Sequence, residues 1–257
     1  MNIYQHFRPE EREFIDQVVN WKSHVENTYS PKLTDFLDPR EQQMVSMIIG
    51  QNDEVKVAFF GGVDQVERKR ALVYPGYFQP STDDYQITLF QIVYPAKFVT
   101  IEHRHVLGSL MSLGLKRGKF GDILYQDATV QFFVAKEVAS YITNELSTIG
   151  KATIRLEEIP FNVAVTVQES FQEGSVTVSS LRLDAMIASL HNCSRQKAQL
   201  LIGQGYAKVN WSVIEASAFE CREGDTLSVR GYGRVKIVSI DGKTKKDKWR
   251  ISIEKQI

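Results

Sequence analysis

The 257-residue sequence predicts an α+β protein built from three folded parts. Three observations lead there. Stretches of helical period alternate with stretches rich in strand formers. The middle of the chain carries them in the order β-α-β-β-α-β. The last third changes charge sign and has its own pattern of helices, glycine stops and strands. The parts expected are an N-terminal α/β unit at 1–75, a central domain at 76–167, a linker at 168–180 and a C-terminal domain at 181–257.

In the first part, Phe14, Ile15, Val18, Trp21 and Val25 recur near the helical period between Pro9 and Glu26, which predicts a helix with one buried face. A second helix starts where Asp38 can cap and Pro39 suits the first helical position; Met44, Val45, Met47, Ile48 and Ile49 supply its apolar side and Gly50 its end. The run VKVAFFGG at 55–62 predicts a strand, and ERKRALVYPGY returns through Val73 and Tyr74 as another.

In the central part, YQITLFQIVY at 85–94 is a strand, and Val106, Leu107, Leu110, Met111 and Leu113 mark a helical face within 103–115. Two strands at 123–126 and 129–135 flank Asp127 and Ala128, which suits a tight hairpin. A helix at 136–149 and a strand at 152–158 complete the ferredoxin-like order. That order is shared by enzymes, ribosomal proteins and RNA-recognition modules, so it does not choose a function. RNA-recognition modules stack bases on aromatic rings of the outer sheet face. Phe90, Phe132 and Phe133 lie on predicted strands, and the neighbours Phe132 and Phe133 point to opposite faces, so one ring can be exposed while the other is core. The basic-Gly-aromatic strand signature is absent, and core packing is the expected job of these rings.

Lys and Arg equal Asp and Glu at 31 each, but the balance divides: 17 basic against 23 acidic residues up to residue 180, and 14 against 8 beyond it. A basic module on an acidic body is the asymmetry expected where one end meets RNA. In that module Leu183, Met186, Ile187 and Leu190 form the apolar face of one short helix. Ser194 caps a second, in which Ala198, Leu201 and Ile202 pack inward, and Gly205 takes the left-handed conformation after it. Arg195 and Lys197 fall in the first turn of the second helix, where free N–H groups and the helix dipole favour phosphate. Arg182 opens the first helix and Lys208 follows the glycine stop, so four cations can converge on one side if the helices pack as a hairpin. Further along, Arg230, Arg234 and Lys236 alternate on a strand, and Tyr232 between two glycines offers a stacking ring. The lysine-rich loop at 241–248 reads as a solvated hairpin tip as readily as a phosphate contact.

The strings RLD, SRxxA, IxxGxxxVN and GD, in this order over about fifty residues, resemble the RNA-binding domain of the fourth ribosomal small-subunit protein, here the S-four domain. Trp211 departs from the commoner glycine after Val209 and Asn210, so it is either an added stacking surface or a packed side chain. The whole chain resembles the bacterial YlmH family. That resemblance implies a non-enzymatic RNA-binding protein of the cytoplasm, partnered by rRNA or tRNA and by the ribosome, in particular the large subunit with peptidyl-tRNA during rescue of stalled translation. It also implies a link to cell division and contacts with division proteins. The expected RNA-binding residues are Arg182, Ser194, Arg195, Lys197, Lys208, Asn210, Arg230, Tyr232, Arg234 and Lys236.

Other chemistry finds little support. Cys193 and Cys221 are too few for a disulfide framework and have no second pair at zinc-ligand spacing. His103 and His105 are two apart, which on a helix does not share a face, so no metal is expected. Gly61 and Gly62 lack the lysine and hydroxyl of a phosphate loop, and no other cofactor motif occurs, so no cofactor or catalytic residue is expected. The polar start and the lack of a long apolar run predict a cytoplasmic protein with no membrane insertion. The rival reading is an RNA-modifying enzyme, akin to a pseudouridine synthase or methyltransferase, that uses an S-four domain to hold substrate. Asp184 in its RLD string superficially resembles a synthase motif, but a place inside the first helix makes it structural.

Overall fold

The computed structural model describes residues 7, 11–50, 54–166 and 171–256. The chain divides into two compact units, Met1–Val167 and Gln168–Ile257. Helices and antiparallel sheets are segregated in both, as the α+β class requires.

The first unit begins with helix α1 (Arg12–Thr28), strand β1 (Lys32–Leu37), helix α2 (Pro39–Ile49) and strands β2 (Val55–Phe60) and β3 (Lys69–Pro75). Asp38 caps α2 by accepting from the Glu41 N–H, and the Glu41 carboxylate accepts in return from the Asp38 N–H. Pro39 stands at the first helical position. The three strands form an antiparallel sheet in the order β1-β3-β2. One sheet face packs on the helices, where Ile15, Val18, Val25, Val45, Ile48 and Ile49 meet Leu37, Val55, Ala71 and Val73. Met47, assigned to the apolar side of α2, is instead 54% exposed. Strand β1 was not foreseen. Both its faces are covered, Leu37 by the helices and Phe36 by the next layer, so its side chains do not alternate between apolar and polar.

That next layer is a four-stranded antiparallel sheet of β4 (Ile87–Val93), β5 (Phe120–Gln126), β6 (Thr129–Ala135) and β9 (Arg155–Ile159), in the order β5-β6-β4-β9. With helices α3 (His103–Ser112) and α4 (Lys136–Glu145) in the two crossovers, this is the ferredoxin-like connection. A small hairpin, β7 (Thr148–Ile149) and β8 (Ala152–Thr153), interrupts what was expected to be the end of α4 and the start of the last strand. Phe90, Phe132, Phe120 and Val134 face α3 and α4, meeting Val106, Leu110 and Ile142. The opposite face carries Leu89, Leu124 and Phe133, and Phe36 and Val66 of the preceding layer cover it.

Phe132 and Phe133 do point to opposite faces, yet both are buried, so neither is a stacking surface. Phe133 fits because Gly62 and Gly121 have no Cβ. One added at Gly62 would lie 2.3 Å from Phe133 Cε1, and Gly62 also has φ of +107°. Polar contacts join the two layers further. Arg70 donates to the Thr34 and Gln86 carbonyls and pairs with Glu137, and Lys119 bridges Asp35 and Glu137. The Asp122 carboxylate accepts from the Glu67 and Arg68 N–H groups. The N-terminal and central parts therefore share one interior, with no open linker near residue 75.

The second unit is a six-stranded antiparallel sheet in the order β10-β15-β14-β13-β11-β12, with helices α5 (Leu183–Leu190) and α6 (Arg195–Gly203) on one face. The strands are β10 (Phe171–Val178), β11 (Ala207–Val209), β12 (Ser212–Val213), β13 (Thr226–Val229), β14 (Gly233–Lys243) and β15 (Trp249–Gln256). The segment read as a linker at 168–180 is corrected here: residues 171–178 are an edge strand paired with β15 over all eight positions. Its polarity misled, because an edge strand that lies mostly in solvent and reaches the core only through Val176 and Val178 is held largely by its backbone partners. Residues 167–170 lie outside the described residues.

Candidate nucleic-acid interface

The two helices of the second unit bury Leu183, Met186, Ile187, Ala198 and Ile202 against Val209, Leu227, Val229, Ile237 and Ile251 of the sheet. The first N–H groups of α5 are met by the chain that precedes β13. Leu183 donates to the Phe219 carbonyl and Asp184 to the Ser217 carbonyl.

Asp184 is the polar centre of the helix pair. It is 0% exposed, while Arg182 and Arg195 beside it are 42% and 51% exposed. Arg195 grips it with two contacts, Nε at 3.0 Å and a terminal nitrogen at 3.1 Å. Arg182 makes two longer ones at 3.3 Å, and Gln199 Nε2 donates at 2.9 Å. Burial alone would raise the Asp184 pKa, but the donors Arg182, Arg195 and Gln199 outweigh it and hold the carboxyl well below its usual range. Asp184 is thus a structural carboxylate, as its helix position implied, with its oxygens already occupied by donors. What it does chemically is fix two guanidinium groups side by side with their outer edges in solvent, a geometry suited to phosphate oxygens.

At the start of α6 the Ser194 hydroxyl accepts from the Lys197 N–H at 3.2 Å, so this side chain is occupied as the helix cap. Lys197 lies 5.5 Å from the Tyr232 ring centre. Its hydrogen bond to Tyr232 is the main cause of a raised pKa. Tyr232 also meets the His191 ring at 5.0 Å, and Arg230 covers the Tyr206 ring at 4.9 Å. These cation–ring pairs hold long side chains extended at the surface, where they keep charge and an aromatic face together.

Lys208 does not join the helix cations. Its neighbours Ala207 and Val209 are buried on the helix side, so Lys208 projects from the opposite sheet face. The expected convergence of Arg182, Arg195, Lys197 and Lys208 is therefore corrected: a two-residue alternation sends the fourth cation across the sheet. There it stands in a cross-strand row, Lys208 opposite Ser228 and Ser228 opposite Arg234. Lys236 follows on the same face, 3.6 Å from Glu254, and Arg234 covers the Trp211 ring at 5.6 Å.

Asn210 belongs to the frame. Its Nδ2 donates to Asp225 at 2.6 Å, and its Oδ1 accepts from the Thr226 N–H at 2.9 Å. This lock ties the β11–β12 turn to the start of β13. It explains why Asn210 and the Gly224-Asp225 pair occur together, with Asp225 only 5% exposed. The sequence patterns did not single out Gln199 or Tyr206. Gln199, four residues after Arg195, was within reach of a helix-face argument. Among the described residues, no group of three or more His, Cys, Asp or Glu side chains is placed to hold a metal ion. No helix among them is long and apolar enough to cross a membrane.

Two family models match the first unit: the N-terminal domain of YlmH over residues 10–78 and the "Putative RNA-binding domain in YlmH" over 80–163. The ribosome-associated protein quality control protein P2 of Bacillus subtilis (strain 168) is 48% identical over 255 residues, covering 99% of both chains. Among solved structures, the cell division protein ylmH from Streptococcus pneumoniae superimposes with a TM-score of 0.55 at 34% identity, covering 63% of this chain and 99% of that one. With near-complete coverage of a relative at this identity, and with two consecutive domain models in register, the chain belongs to the YlmH family.

Proposed function

We propose that this protein is a non-enzymatic, cytoplasmic RNA-binding adaptor that acts on the ribosome, holding rRNA and tRNA on the large subunit where peptidyl-tRNA has stalled. The observation that carries the reading is the pair of guanidinium groups held by buried Asp184. Such preset cations bind a folded phosphate backbone with little loss of side-chain entropy. The Bacillus subtilis relative, named for ribosome-associated quality control, supplies the ribosome as address, and the Streptococcus relative supplies the link to division. Arg182, Arg195, Lys197 and Tyr232 make the helix-side contact, with Ser194 and Asn210 shaping it, and Arg230, stacked on Tyr206, adds a cation at the end of β13. Lys208, Arg234 and Lys236 make a second contact on the other sheet face. The central domain adds affinity by tethering, through surfaces other than its covered sheet. The occupied oxygens of Asp184 weigh against the RNA-modifying alternative, since that carboxylate is not free to attack a base.

The test is crosslinking in cells followed by sequencing of the bound RNA, with an Arg195→Ala, Lys197→Ala variant beside the wild type. Large-subunit rRNA and tRNA should dominate and vanish in the variant. In vitro, the salt slope of binding should flatten by roughly 0.7–0.9 for each phosphate-neutralising cation removed. An unchanged slope in a folded variant would overturn the assignment.

A further inference from the structure

The turn between β11 and β12 has two central residues, Asn210 with φ of +48° and Trp211 with φ of +66°. A hairpin turn of this kind favours Asn followed by Gly, because both positions lie in the left-handed region. Asn210 is the expected residue. A bulky side chain at the second position is uncommon and strained relative to Gly. Core packing does not account for it. Trp249, Tyr232 and Phe219 pack against the interior of the second unit, whereas the Trp211 ring stands outside that cluster. It lies instead under the Arg234 guanidinium, on the face where Lys208 and Lys236 also project. An aromatic ring kept at a strained turn, outside the core and among cations, is the arrangement by which proteins take up unpaired bases.

We propose that Trp211, flanked by Arg234, Lys208 and Lys236, is a stacking site for an unpaired RNA base on the sheet face opposite α5 and α6. This rests on the RNA-binding reading above and adds a class of target to it: a loop, bulge or single-stranded end. The ring takes the base face, the guanidinium shields its other side, and the two lysines pair with the flanking phosphates.

The test uses the full chain with two probes, a short oligoadenylate and an RNA duplex of equal charge. Trp211→Gly places the residue that the turn prefers, so its melting temperature should equal or exceed that of the wild type. Its affinity for oligoadenylate should fall roughly 5- to 150-fold, with duplex affinity unchanged. Fluorescence quenching by oligoadenylate should disappear with it. Trp211→Leu should bind as poorly as Trp211→Gly, whereas Trp211→Phe should recover part of the affinity. Equal oligoadenylate binding by the wild type and Trp211→Gly overturns the stacking site and leaves RNA binding standing, as does equal binding by the Phe and Leu variants. Failure of the wild type to bind either probe overturns both readings.

Discussion

Replacing Asp184 by Asn separates the orienting role of this carboxylate from its charge. The substitution keeps the shape but removes the negative charge and replaces one of the two acceptor oxygens that hold two guanidinium groups and Gln199 with an amide donor. Removing one side of a buried ion pair costs about 3–5 kcal/mol. Arg182 and Arg195 are about half exposed, so water recovers part of that, and the expected destabilisation is about 2–3 kcal/mol. For a unit of this size the melting temperature falls by roughly 10–20 °C. Urea unfolding followed by tryptophan fluorescence in a Trp21→Phe background reads the second unit alone, since Trp211 and Trp249 both lie in it. The pH dependence has a definite sign. The folded-state pKa is depressed, so the stabilisation is complete above the unfolded value of about 3.9 and is lost as pH falls through the lower folded value. Wild type and Asp184→Asn should therefore converge in strong acid. RNA affinity should also drop, without the flattened salt slope of an arginine deletion, because no positive charge is removed. A variant within about 0.5 kcal/mol of the wild type at neutral pH, or stability curves that stay parallel into acid, would refute the anchoring argument.

Phe133→Ala should destabilise the first unit by about 3–5 kcal/mol in denaturant unfolding and leave the RNA affinity of the folded protein unchanged, because this ring fills the space between two sheets. A folded variant with weakened RNA binding would show that the covered face opens. Ser194→Ala should cost about 1 kcal/mol by removing the α6 cap, read as a lowered urea midpoint with a constant m-value. Asn210→Ala should cost about 1–3 kcal/mol, because it leaves Asp225 and the Thr226 N–H short of partners and puts a poorer residue at positive φ; hydrogen exchange at Thr226 should rise selectively.

Much of the fold was legible because its signals are local. The 3.6-residue period of α1, the Asp38-Pro39 start of α2 and the Ser194 cap of α6 each act within one or two turns. The strand order of the central sheet followed once its elements had been placed in sequence. What failed to read were the elements whose surroundings come from far along the chain. Strand β1 is covered on both faces by different layers, and β10 is exposed along most of its length and meets the core only at Val176 and Val178, so neither shows an alternation that reveals a strand. Phe132 and Phe133 could be assigned to opposite faces, but that both faces are buried depended on Phe36 and Val66.

For the candidate site, residue types and spacing determined the basic composition of the C-terminal part, the helix that carries Arg195 and Lys197, and the turn at Asn210. Membership of the YlmH family was likewise readable from ordered motifs. Only the tertiary structure decided which cations share a surface. Asp184 gathers Arg182 and Arg195 because packing brings one turn of α5 against the first turns of α6. Lys208 is sent to the other side because a strand within a sheet alternates its side chains across two faces. Local sequence sets which way a side chain leaves its own element, whereas the neighbours it meets depend on long-range packing that buries the apolar faces first.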